Sequence, residues 1–163
     1  MAGREGTGED QRLSAVERAA VKARAAEVRA EARRARREGK AAADTADVLA
    51  KIASMPDGDR ELAGRAHRVV ADAAPHLTPK LYYGQPGWAG ADGKVVCFFR
   101  SGQQDKLRYC TVGFSPQAVL DEATGLWPTS YALTQDATEE AWAQLAALVA
   151  RAAPAPDGTD AAS

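Results

Sequence analysis

Lys80–Phe114 reads KLYYGQPGWAGADGKVVCFFRSGQQDKLRYCTVGF, and this stretch decides the fold. It holds both cysteines and seven of the ten aromatic residues. Two runs in it, Lys94–Arg100 and Lys106–Phe114, are rich in Val, Phe, Tyr and Thr, the side chains that suit a half-buried pleated surface. The SerGlyGlnGln between them is loop chemistry, so the runs read as a hairpin. Upstream, AlaAspGly at 91–93 carries the Asp-Gly signature of a tight turn. Before it come a strand holding Trp88 and a short strand at Lys80–Tyr83, broken by Gly84 and Pro86. Downstream, Thr129–Leu133 reads as an edge strand, because Pro128 can stand only at its start.

A turn centred on Gln103 and Gln104 would place Cys97 opposite Cys110 and Val95 opposite Val112. One face of the hairpin would carry Val95, Cys97, Phe99, Cys110 and Val112. The other would carry Val96, Phe98, Leu107, Tyr109 and Thr111. Both faces are apolar, so one is expected to pack on helices and the other needs a cover, a ligand or a partner. A slip of one residue would exchange the faces.

The rest of the chain is helical in pattern. Ser14 with Glu17 matches a capping box, and Ala, Arg, Glu and Lys dominate to Glu38, with Gly39 as the expected stop. A second helix is expected over Asp44–Ser54, with Val48, Leu49 and Ile52 on one face and Pro56 ending it. A third follows Asp57, read as its N-cap, and runs to about Ala73 on the period of Leu62, Ala66, Val69 and Val70. Pro116–Glu122 reads as a short helix. Thr138 caps a last one to about Ala152, with Trp142, Leu145, Leu148 and Val149 on one side. Residues 1–10 read as disordered and the tail from Pro154 as loose.

The formal net charge is −1, but it is unevenly spread. Ten basic and four acidic residues lie between Arg12 and Lys40, so a basic arm joins an acidic body. No apolar run approaches the ~20 residues needed to span a bilayer, and MAGREGTGEDQR lacks the apolar core of a signal peptide. The expected location is therefore the cytoplasm, without membrane partners.

With strands and helices placed, the pattern resembles the YdhG-like domain family. The matching pieces are MetProAspGlyAspArg, LysLeuTyrTyrGlyGlnProGlyTrp, GlyLysValValCysPhePhe, TyrCysThrValGlyPhe and a C-terminal helix ending near ArgAlaAla. The resemblance covers about residues 47–153. It implies a compact two-layer domain of unknown function, some members being described as frataxin-like iron chaperones. The expected fold class is α+β: an antiparallel sheet of about five strands packed against helices, with an N-terminal helical extension. The expected organisation is a disordered start and basic helical extension over 1–43, the YdhG-like domain over 44–153 and a loose tail over 154–163.

Candidate residues fall into three sets. Tyr82, Tyr83, Trp88, Lys94, Phe98 and Tyr109 are candidates for a ligand surface, since rings offer stacking area and glycines let the backbone bend; ordinary core and turn packing is the better-supported reading of the aromatic cluster. Asp57, Asp59 and Glu61, and Asp121 with Glu122, supply oxygen ligands for iron, the cargo that the resemblance implies. Helix capping accounts for acidic groups at a helix start without any metal. Arg29, Arg33, Arg36 and Arg37 are candidates for phosphate contacts to nucleic acid, although the arm has no aromatic residue for stacking on bases. Cys97 and Cys110 lack the further Cys or His of a zinc site. No G-x-S-x-G, P-loop, G-x-G-x-x-G or H-E-x-x-H spacing occurs, which points away from an enzyme. The expected function is a non-catalytic binding protein for a small ligand or iron; the alternative is nucleic-acid or protein interaction through the basic helix.

Overall fold

The computed structural model describes residues 14–157. The start at 1–10, Arg12, Leu13 and the end of the tail lie outside the described residues. The chain divides into two compact units, Met1–Gly39 and Lys40–Ser163.

Helix α1 spans Ala15–Ala53. Its start is a reciprocal cap, in which the Ser14 N–H donates to Glu17 Oε2 at 2.8 Å and the Glu17 N–H donates to Ser14 Oγ at 3.1 Å. This capping box satisfies two of the otherwise unpaired amides of the first turn. Gly39 does not stop the helix, and the expected second helix is the continuation of α1. A mid-helix glycine costs about 1 kcal/mol relative to alanine, but Lys40–Ala43 resume with strong helix formers, and Gly39 does not take the positive φ of a left-handed cap. In the first unit every described residue except Ala30 is exposed.

In the second unit, helix α2 spans Asp57–Ala73, strands β1–β5 span Thr78–Tyr82, Gln85–Ala89, Val95–Arg100, Cys110–Phe114 and Ser130–Leu133, and helix α3 spans Glu139–Ala152. The N-cap of α2 is Pro56 rather than Asp57, which becomes the first helical residue and pairs with Arg60 at 2.7 Å. Proline suits this place because its missing N–H would have no helical partner there. Thr138 caps α3 as expected, its Oγ1 accepting the Ala141 N–H at 3.2 Å. Pro116–Glu122 forms turns instead of a helix, with Ser115 Oγ accepting the Gln117 N–H at 3.1 Å.

The five strands form one antiparallel meander in chain order. One sheet face packs on the helices through Trp88, Cys97, Phe99, Val112 and Phe114, with Val48 and Ile52 of α1, Leu62 and Val70 of α2, and Trp142, Leu145 and Val149 of α3. Leu49 stays exposed. The architecture is two-layered α+β.

The β3–β4 register differs from expectation. Cys97 pairs with Phe114 and Phe99 with Val112, a slip of four residues along β4. Lys106–Tyr109 do not join the strand, because a 3-10 turn at Gln103–Asp105 and a left-handed Lys106 consume them. An even slip preserves the faces of β4, so Cys110 and Val112 still point to the core. At β3 the alternation breaks. The β2–β3 ladder shifts register between Trp88 and Ala89, the signature of a β-bulge. Val96 joins the core cluster and Val95 does not; Val95 lies instead on the face of Gly87, where a Cβ would meet its Cγ1 at 3.2 Å.

On that second face, one rung runs Lys80, Gly87, Phe98, Gly113 and Ser130 across all five strands. The Phe98 ring occupies the space a side chain at Gly113 would fill, and Tyr82 Cβ lies 2.9 Å from where one would begin at Gly87. Two aromatic residues thus lie over glycines on neighbouring strands.

Gly102 anchors the β3–β4 connection, since a Cβ there would overlap the Tyr109 carbonyl. Backbone cannot swing aside as a side chain can. Gly102→Ala is therefore expected to destabilise the fold by about 1–3 kcal/mol, read as a lower urea midpoint at unchanged m-value.

Candidate functional site

The six expected ligand-surface residues do not converge. Tyr82, Tyr83 and Phe98 do meet, with Tyr82–Phe98 centroids 5.1 Å apart and Tyr83 edge-on to Tyr82 at 4.6 Å. Lys94 borders a neighbouring cavity of about 330 Å³ that Lys80, Tyr82 and Val95 also line. Trp88 lies on the opposite, core face at 2% exposure. Its indole N–H donates to His67 Nδ1 at 3.3 Å, so that nitrogen must be unprotonated; burial, then Arg68 nearby, lowers the His67 pKa below 6.5. Tyr109 lines a separate cavity of about 310 Å³ beside Asp59 and Cys110, and Arg108 stacks over its ring at 5.2 Å. A further cavity, about 370 Å³, has a mostly apolar wall including Leu77, Val96 and Ala153, with His76, Asp92 and Lys94 also lining it.

The three carboxylates at the start of α2 have separate fates. Asp57 pairs with Arg60, and Glu61 is exposed. Asp59 is 4% exposed and accepts hydrogen bonds from Ser101 Oγ, the Gln103 N–H at 2.9 Å and Gln103 Nε2 at 2.9 Å. Burial pushes its pKa up, but the donors from Ser101 and Gln103 outweigh that and hold it below its ordinary 3.8. Asp59 is thereby a structural hub joining α2 to the end of β3. Glu122 pairs with Arg151 at 3.1 Å. Among the described residues no group of three or more His, Cys, Asp or Glu is arranged to hold a metal ion. Cys97 and Cys110 are both free and buried. Burial pushes the Cys97 thiol up to about 12, and burial with Asp59 beside it pushes Cys110 up to about 11, so both stay protonated at neutral pH.

Six of the eight described basic residues of the first unit share one face, and Arg24 and Arg34 lie off it. At about 100° per residue, Arg29, Arg33, Arg36 and Arg37 fall within about 100° of arc, and Arg18 and Lys22 fall on the same arc two to three turns earlier. Glu27, Glu31 and Glu38 lie on the opposite side by the same geometry. All six basic side chains are exposed, and none pairs with a carboxylate among the described residues, whereas Arg24, off that face, pairs with Glu27 at 3.1 Å. The spacing 18, 22, 29, 33, 36 is visible in the sequence once a single helical phase is assumed, so Arg18 and Lys22 were within reach of sequence reasoning. The Ser101–Gln103 donors to Asp59 were not, because they are 42 and 44 residues away in the chain.

Removing Asp59 strands three donors. Asp59→Ala is expected to cost about 1–3 kcal/mol, measured by chemical denaturation at pH 7. Because the native pKa of Asp59 is depressed, its contribution is present above its ordinary value and is lost as pH falls through the native one. His67 adds to the acid sensitivity, since its lowered native pKa makes stability fall as pH drops below 6.5. His67→Gln is expected to flatten the stability profile between pH 7 and 5. No family model, curated protein or solved structure matches the chain.

Proposed function

We propose that the chain is a non-catalytic binding protein that holds nucleic-acid duplexes through phosphate contacts along α1. The observation that carries this reading is the sorting of charge: six exposed cations on one face of a regular helix, with glutamates turned to the other. From Arg18 to Arg37 that face extends about 29 Å at 1.5 Å per residue. A solvated helix stabilised by its own ion pairs would interleave the signs along one face; here six basic groups are aligned and none of them pairs with a carboxylate among the described residues. A duplex offers a matching partner, with about one negative charge per 1.7 Å of axis.

Residues 15–39 contain only Ala, Val, Glu, Arg, Lys and Gly. No Asn, Gln, Ser or Thr is present, so the base readout open to this face is Arg or Lys to guanine, and binding is expected to rest chiefly on phosphate contacts. Carriage of iron, the function implied by the resemblance to the YdhG-like family, has less support. The Asp59 oxygens are committed to Ser101 and Gln103, and Asp57 faces Arg60.

The test is fluorescence anisotropy of a labelled random-sequence 20-base-pair duplex against the full chain at several salt concentrations. Six phosphate contacts would give a slope of log K on log salt of about −5. Replacing Arg29, Arg33, Arg36 and Arg37 together by Ala is expected to reduce that slope by about 3–4 without changing the melting temperature. Absence of salt-dependent binding by the unaltered chain would refute the reading.

A further inference from the structure

The α1 face has no ring on which an unpaired base could stack; the second face of the sheet, with its β1–β2 hairpin tip, has three. Tyr83 and Gly84 form the two-residue connection of the β1–β2 hairpin, closed by the Tyr82–Gln85 pair. Both take positive φ, 48° and 74°, the backbone of the turn that Asn-Gly usually fills. A tyrosine there is strained, since positive φ brings Cβ close to the backbone. Nothing in the packing of the fold repays that strain, because Tyr83 is 90% exposed. Its one aromatic contact is Tyr82, which in turn meets Phe98. The three rings form a ladder from the hairpin tip onto the open sheet face, over the floor left by Gly87 and Gly113.

Charge sorting marks the same face. Lys40–Ser163 carries 15 acidic and 11 basic residues, yet none of the five strands contains an Asp or Glu. Lys80 stands on the Phe98 rung and donates to the neutral Gly93 carbonyl at 3.1 Å. Lys94 follows at the next turn, and the nearby Asp92 accepts its backbone N–H at 3.0 Å. One exposed ring and two half-buried ones, flanked by cations on a sheet without carboxylates, suit a chain that alternates flat bases with phosphates.

We propose that Tyr83, Tyr82 and Phe98 form a stacking platform for the unpaired bases of single-stranded nucleic acid, flanked by Lys80 and Lys94 as phosphate contacts. This site is carried by a different part of the molecule from the α1 face and adds a preference that α1 cannot supply. Tyr83 is the outermost stacking ring, and the strain at its turn is the cost of presenting it.

The experiment uses the full chain, a labelled single-stranded dT20 and a 20-base-pair duplex. Tyr83→Asn places a residue that favours positive φ at the turn, so the variant is expected to melt at or above the wild-type temperature. It is expected to bind dT20 about tenfold more weakly while duplex affinity stays within twofold. Tyr83→Trp, which keeps a ring, is expected to restore dT20 binding. The same Tyr83→Asn loss on dT20 in the background of the four α1 Arg→Ala changes, at low salt, would uphold the platform even if duplex binding fails. Unchanged dT20 affinity in Tyr83→Asn with duplex binding intact would overturn the platform and leave the α1 reading standing. Binding of neither probe by the unaltered chain would overturn both.

Discussion

A carboxylate taken out of water must find donors, and in this protein Asp59 finds them at one place: the end of β3. Its oxygens accept from Ser101 and from the backbone and side chain of Gln103. That requirement draws residues 101–103 to the start of α2 and tightens the following segment into a 3-10 turn. Gly102 can then approach the Tyr109 carbonyl, and β4 begins only at Cys110. The strand register, the position of Phe98 between two glycines and the rim beside Tyr109 all follow from where this one buried charge is neutralised.

The same dependence explains what the sequence could and could not tell. The five strands, helices covering one sheet face and both working caps were readable, because alternation, turn residues and capping pairs are local signals. The hairpin register was not. A two-residue turn on Gln103 and Gln104 is the simplest local solution, and it fails because the deciding partner is Asp59, more than forty residues away. The bulge that exchanges the faces of Val95 and Val96 leaves no composition signal either. Gly39 failed in the other direction: glycine as a stop is a weak preference, and the alanines after it outweighed it. Of the candidate residues, the aromatic trio on the second face is brought together by register, whereas Trp88 is taken into the core by alternation along β2.

Charge is the second organising element. A formal charge of −1 conceals a helix whose basic groups are aligned and a sheet from which carboxylates are excluded. The described acidic residues of the second unit sit on helices and loops, and four of them pair with Arg60, Arg65, Arg100 and Arg151. Such exposed pairs contribute little to stability individually. The placement of the carboxylates off the strands keeps negative potential away from the sheet.

The meander has a kinetic consequence. Each strand pairs with its immediate predecessor in the chain, so apart from the connection over 115–129 no long loop must close before a sheet contact forms, and a low contact order favours rapid folding. During synthesis the sheet can assemble strand by strand as it leaves the ribosome. Its core face, however, lacks Trp142, Leu145 and Val149 until α3 has been made. The nascent sheet therefore carries an uncovered apolar surface until the last helix emerges, and that interval, rather than strand pairing, is when the chain is most open to aggregation.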